Sequence, residues 1–257
     1  MKFHPGQIWL DTDGRPIQAH GGGLLHHDGV YYWYGENKDA PNSPGQHRVD
    51  VIGVSCYSSR DLFQWKNEGV ILSAVPDETH DLHPRNVLER PKVLFNAKTR
   101  KFVLWAHVDA PGYMKASVSV AVSDSPCGPF EYLRSFQPCG QESRDMTVWQ
   151  DSDGSAYLFH SSEMNKTQHI VKLRDDFLDV EGDFVRAFPD ELREAPAVWK
   201  YRDCYYQITS YCTGWSANPA RWHLAEHPLG PWRTMGDPCA GNDEQRATTF
   251  GSQSTFV

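Results

Sequence analysis

Two short segments put a glutamate two residues ahead of a proline where an apolar run begins: "ERPKV" at 89–93 and "EAPAV" at 194–198. Proline fixes φ near about −65° and removes a backbone donor, so each glutamate is held at the start of a strand with its carboxylate able to project. One such segment would read as a solvated charge at a sheet edge. Two at equivalent places in a repeat read as a site, because other polar residues stand at matching positions. These are His20 before "GGGLL", Asp145 before "MTVW" and Gln253 before "STFV". Carboxylates brought together repel, which raises the proton affinity of one and keeps a general acid protonated near neutral pH. Such a set, walled by aromatic rings, suits glycoside hydrolysis. An inverting enzyme needs an acid and a water-activating group roughly 6.5–9.5 Å apart.

The elements that must position these residues are strands. Helical periodicity is nearly absent, and an aromatic-rich hairpin recurs at 21–36, 90–107, 145–160 and 195–210. Asp-Gly pairs at 28–29 and 153–154 mark turns. A second hairpin follows each first one, in "IGVSCYSSRDLFQWKNEGVIL", "VSVAVSDSPCGPFEYLRSF", "HIVKLRDDFLDVEGDFVRAF" and "RWHLAEHPLGPWRTMGDP". Val93 to Val148 spans 55 residues and Val148 to Val198 spans 50, while Leu24 to Val93 spans 69 because "NKDAPNSPGQHRVD" reads as an inserted loop.

A four-stranded unit at that period predicts a β-propeller in which innermost strands line a channel. Four blades are expected, with "FGSQSTFV" as the first strand of a fifth. The N-terminal "GQIWLDTDGRPIQ" would supply one or two more strands, leaving the fifth blade incomplete. The expectation is therefore an all-β, five-bladed propeller forming a single catalytic domain over residues 1–257, with opposed channel walls that suit the acid–water geometry.

Composition narrows the partners. A net charge of −8 argues against nucleic acid. No apolar run is long enough to span a membrane. The first residues lack a signal-peptide core, so a cytoplasmic location is expected, with the six cysteines as free thiols. Nine Trp and eleven Tyr belong mostly to a core, with stacking on sugar faces as the alternative. No cofactor is expected, and no protein metal ligands are assigned. His26 and His27 point to opposite faces of a strand, and "DETHDLH" at 77–83 reads as a loop. A propeller channel of this kind can hold a structural calcium or sodium ion. The "GGG" at 21–23 precedes no helix, so it is no phosphate loop. It instead lets backbone approach the channel closely.

"AHGGGLLHHDGVYYWYGENK", "ERPKVLFN", "ESRDMTVWQDSDGSAYL", "EAPAVW", "CTGW" and "QSTFV" together resemble glycoside hydrolase family 43, and within it the exo-β-1,3-galactanase and galactosidase-like branch. The resemblance runs from Ile8 to Val257. It implies a five-bladed propeller with inverting chemistry and Glu194 as the general acid. It places Glu89 near the attacking water and Gln253 where the wider family has an aspartate base. An amide is an extremely weak base, so positioning water is the role expected of Gln253, ahead of proton acceptance through an imidic tautomer. Glu36, Tyr113, Asp145, Thr213 and Trp215 are then sugar-subsite residues. The expected activity is release of galactose from β-1,3-galactan or arabinogalactan-type oligosaccharides. The alternatives are an α-L-arabinofuranosidase of the same fold and a non-catalytic carbohydrate-binding propeller.

Overall fold

The computed structural model describes residues 2–4, 6–41 and 48–257. Residues 42–47 of the loop expected at 37–50 lie outside the described ones. Sixteen strands form four four-stranded sheets, and each sheet takes four consecutive strands in chain order. The first holds β1 (His20–His27), β2 (Val30–Glu36), β3 (Gly53–Ser59) and β4 (Lys66–Ser73). The second holds β5 (Val87–Asn96), β6 (Lys101–Asp109), β7 (Ser117–Ser123) and β8 (Glu131–Phe136). Then come β9 (Met146–Gln150), β10 (Ala156–Ser162), β11 (Thr167–Leu173) and β12 (Val180–Ala187). The fourth holds β13 (Arg193–Tyr201), β14 (Cys204–Tyr211), β15 (Arg221–Ala225) and β16 (Arg233–Gly236). All eight expected hairpins are present.

The two Asp-Gly turns differ. Asp28 and Gly29 both take positive φ, 50° and 75°, as a two-residue hairpin requires. Asp153–Gly154 instead sits in a five-residue link from Gln150 to its partner Ala156, and there Gly154 supplies the left-handed backbone.

The chain divides into two compact units, Met1–Lys115 with Ser119–Ser135, and Ala116–Val118 with Phe136–Val257. The first is built on Tyr34, Val54, Leu88, Phe102, Leu104 and Phe130, all buried between its sheets. A satellite of Trp65, Tyr57 and Ala19, with Trp33 against it, underlies the N-terminal segment. The second unit packs Tyr157, Phe159, Ile170, Phe188 and Val198, with Trp149 and Trp232 against them.

Two expectations at the chain ends are corrected. The segment at 6–18 adds no strand to a sheet. It folds back through one bridge, Leu10 with Pro16, and hangs on the first sheet through Thr12 N–H to the Trp65 carbonyl at 2.9 Å. At the other end, Asn242 and Gln245 form a capping box on a short helix, α1 (Asp243–Ala247). A 3₁₀ turn, Thr249–Gly251, follows. Residues 252–257 are extended without pairing to a sheet, so no fifth blade stands among the described residues and Gln253 does not open a strand. Side chains hold this tail in place instead.

Candidate active site

Three of the four inner strands begin with the same backbone device. The register slips between His20 and Gly23, between Glu89 and Lys92, and between Glu194 and Ala197. The residue after each leading polar side chain is left-handed: Gly21 at φ 58°, Arg90 at 57° and Ala195 at 51°. Such bulges bend a strand and re-aim the neighbouring side chain. They also expose a peptide N–H that the ladder no longer uses. Arg90 N–H donates to Glu36 Oε1 at 3.0 Å, and Ala195 N–H donates to Asp145 Oδ2 at 3.1 Å. Each E-x-P bulge is therefore pinned by a carboxylate from the preceding sheet of its own unit. Proline follows because the next position has no need of a donor.

In the first unit Glu36, Glu89 and Tyr113 come together as expected. Glu36 is buried and Lys38 Nζ meets its Oε2 at 2.5 Å. Burial raises the proton affinity of Glu36, Lys38 opposes this, and the charge of Glu89 adds to it. Gly21 is required here, since a Cβ on it would lie 2.4 Å from Glu36 Oε1. Glu89 accepts from Tyr113 Oη at 2.7 Å and faces His107 Nδ1 at 3.3 Å. Burial alone would raise its pKa. The hydrogen bond and charge of His107, the Tyr113 hydroxyl and Lys38 outweigh that and hold it at about 2. Glu89 is thus an ionised acceptor and Glu36 the more readily protonated neighbour. Lys92, almost wholly buried, ties Gly21 to this strand by donating to its carbonyl at 2.9 Å.

In the second unit Glu194, Asp145 and Gln253 come together. Glu194 Oε1 accepts from Asn165 Nδ2 at 2.8 Å. Burial raises the Cys212 thiol, and the charge of Glu194 and a hydrogen bond to it raise it further. Opposite Glu194 in the ladder stands Ser210, and Gln253 Nε2 donates to Ser210 Oγ at 2.9 Å. The next residue, Ser254, donates to the Ala195 carbonyl at 2.6 Å. The tail therefore clasps the bulge that carries Glu194, with Asp145 holding the N–H of the same residue, Ala195.

The other three residues named from the sequence are His20, Thr213 and Trp215. The His20 ring nitrogen lies 3.2 Å from Gln18 Oε1 at an exposed position. The Thr213 hydroxyl is spent inside its own loop, donating to the Ser216 carbonyl at 2.6 Å and accepting from Asn218 Nδ2 at 2.7 Å. Trp215 is 81% exposed. Residues that the sequence reading passed over do more: Lys38, His107, Asp109, Asn165, Ser210 and Cys212. For His107 and Ser210, hairpin register brings them to the site. Each strand-leading residue has a polar partner on the second strand, Glu36 for His20, His107 for Glu89 and Ser210 for Glu194.

The model of glycosyl hydrolases family 43 matches residues 23–255. The chain belongs to that family. A family 43 beta 1,3 galactosidase solved with galactodeoxynojirimycin is 40% identical and superposes with a TM-score of 0.91, over 98% of this chain and 85% of that one. An exo-beta-1,3-galactanase from Phanerochaete chrysosporium, solved with beta-1,3-galactotriose, is 36% identical at a TM-score of 0.90, over 98% of this chain and 56% of that one. A beta-D-galactofuranosidase of Aspergillus niger is 25% identical over 213 residues, which is 78% of this chain. The chain spans 61% of that curated relative's length. The likeness to the solved family 43 structures shows an all-β propeller fold, with four four-stranded blades among the described residues.

Proposed function

We propose that this family 43 glycoside hydrolase is an inverting exo-enzyme that releases galactose from β-1,3-linked galactan or arabinogalactan-type oligosaccharides. The observation that carries the reading is the clasp of the C-terminal tail: Gln253 is bonded to Ser210, the ladder partner of Glu194. It brings an amide beside an E-x-P carboxyl, the pair that the resemblance assigns to water and acid. Solved relatives at 36–40% identity that cover 98% of this chain include a beta 1,3 galactosidase and an exo-beta-1,3-galactanase.

In this mechanism Glu194 gives its proton to the leaving glycosidic oxygen. Its Asn165 and Cys212 partners are neutral groups that do not favour the carboxylate as a cation would. Gln253, turned by the Ser210 hydroxyl, orients water with its amide oxygen. Glu89, ionised near neutral pH, is an acceptor for a hydroxyl or water.

Incubation with β-1,3-galactobiose and -triose, followed by NMR, tests the reading. Galactose released first as the α anomer supports it. β-Galactose, or release only from an arabinofuranoside or galactofuranoside, overturns it. Galactobiose binding without hydrolysis would instead mark a carbohydrate-binding propeller.

A further inference from the structure

Glu89 sits in front of a second carboxylate that no sugar-binding role requires. Asp109, the last residue of β6, is 1% exposed and uses both oxygens. Its Oδ1 accepts the N–H of Ala110 at 2.9 Å and of Lys115 at 2.7 Å, closing the loop at 110–115. That loop carries Tyr113, itself left-handed at φ 60°, whose hydroxyl meets Glu89. Lys115 is anchored at the loop's far end by the Asp81 carboxylate. Asp109 Oδ2 lies 3.2 Å from His107 Nε2.

The imidazole of His107 therefore has a carboxylate oxygen in front of each nitrogen, Glu89 on Nδ1 and Asp109 on Nε2. A neutral ring has one N–H, so its other lone pair would face an anion. A doubly protonated ring would present an N–H toward each. A buried cation needs such pairing, and two flanking carboxylates supply it.

We infer that Asp109 is the positioning residue of Glu89: one oxygen seats the loop that presents Tyr113, and the other holds His107 as the cation facing Glu89. The device explains why a largely buried Glu89 can stay an anion. Within this unit the charged and titratable groups facing Glu89 are His107 from β6, Tyr113 from the loop, and Lys38 and Glu36 from the end of β2 and just beyond it. The inference rests on the proposed function only in giving Glu89 a part in the reaction.

Asp109→Asn in the full chain is the informative variant. Its amide oxygen can still take the Ala110 and Lys115 N–H groups, so the loop is kept. Its amide nitrogen donates to Nε2 and leaves His107 neutral. With carboxyl-¹³C glutamate, the Glu89 resonance (assigned by its loss in Glu89→Gln) should titrate about one pH unit or more higher than in the parent. The acid limb of kcat/KM on β-1,3-galactobiose should move up with it, while KM changes less than kcat. His107→Gln, which keeps a neutral donor, should give the same rise and decides the matter if Asp109→Asn does not fold. An unmoved Glu89 titration in the folded variants overturns the inference. A moved resonance with an unmoved activity profile upholds it, and removes Glu89 from the proposed reaction instead.

Discussion

The bulges at Glu89 and Glu194 share one backbone design and opposite chemistry. Both place a left-handed residue between glutamate and proline, and both hand the spare N–H to a neighbouring carboxylate. Around Glu89 the structure gathers an imidazole, a phenol and an ammonium group, while Glu194 has an amide and a thiol. The repeat supplies aim, and the second strand of each hairpin supplies charge. One scaffold can therefore hold two glutamates in different surroundings.

The comparison breaks most sharply at Glu194. Glu194→Gln should lower kcat on unactivated β-1,3-galactobiose by about 10²–10⁴-fold, the range for a general acid. A dinitrophenyl galactoside, whose leaving group needs no proton, should be far less affected. Similar losses on both substrates would move the acid elsewhere. Gln253→Ala comes next, with an expected fall of about a hundredfold, as for removal of one preorganised polar group. Circular dichroism should be unchanged, and a kcat near that of the parent would demote the tail to a structural clasp.

Glu89→Gln should act on stability, because an amide NH₂ would then confront donors at His107 and Tyr113, at a cost of about 1–3 kcal/mol in urea unfolding. The pH dependence carries the sign. The folded pKa of Glu89 is depressed from 4.5 to about 2, so its stabilisation is present above about pH 4.5 and is lost as pH falls toward 2. Glu36, raised by burial, contributes the other way, and its protonation relieves the fold as pH falls. Melting curves from pH 5 to 2 should therefore flatten in Glu89→Gln and steepen in Glu36→Gln. A common slope would mean that neither carboxyl is differentially held. Cys212→Ser sharpens the comparison from the Glu194 side. A hydroxyl is a better donor than a thiol, so the alkaline limb of activity should move down by a few tenths of a unit.

Much of this was legible beforehand. Aromatic strand pairs, turn residues and a near-constant period revealed four blades and all eight hairpins. The E-x-P segments pointed to both glutamates. The tail departs from expectation: the repeat and the β-prone "STFV" pointed to the first strand of a fifth blade, and residues 252–257 pair with no sheet. In the structure Ser254 and Gln253 bond the fourth sheet through their side chains. The hydrogen bond from Asn218 to the Thr213 hydroxyl, inside one loop, had no pattern to announce it. His107 and Asp109 were within reach, since an H-x-D on one strand puts both side chains on one face. What no pattern announces is the pairing of His107 with Glu89, because cross-strand register decides it.

The left-handed position inside each bulge also shapes how this family member can drift. At Ala195 it is the backbone that works, its N–H held by Asp145 and its carbonyl by Ser254, so the side chain's chemical identity is open. Its shape is not open. Asn or Asp suits that backbone, whereas a β-branched residue or proline does not. At Gly21 even that latitude closes, because a methyl group would land on Glu36. A saturation library should therefore read as chemically permissive and sterically strict at 195, and silent at 21.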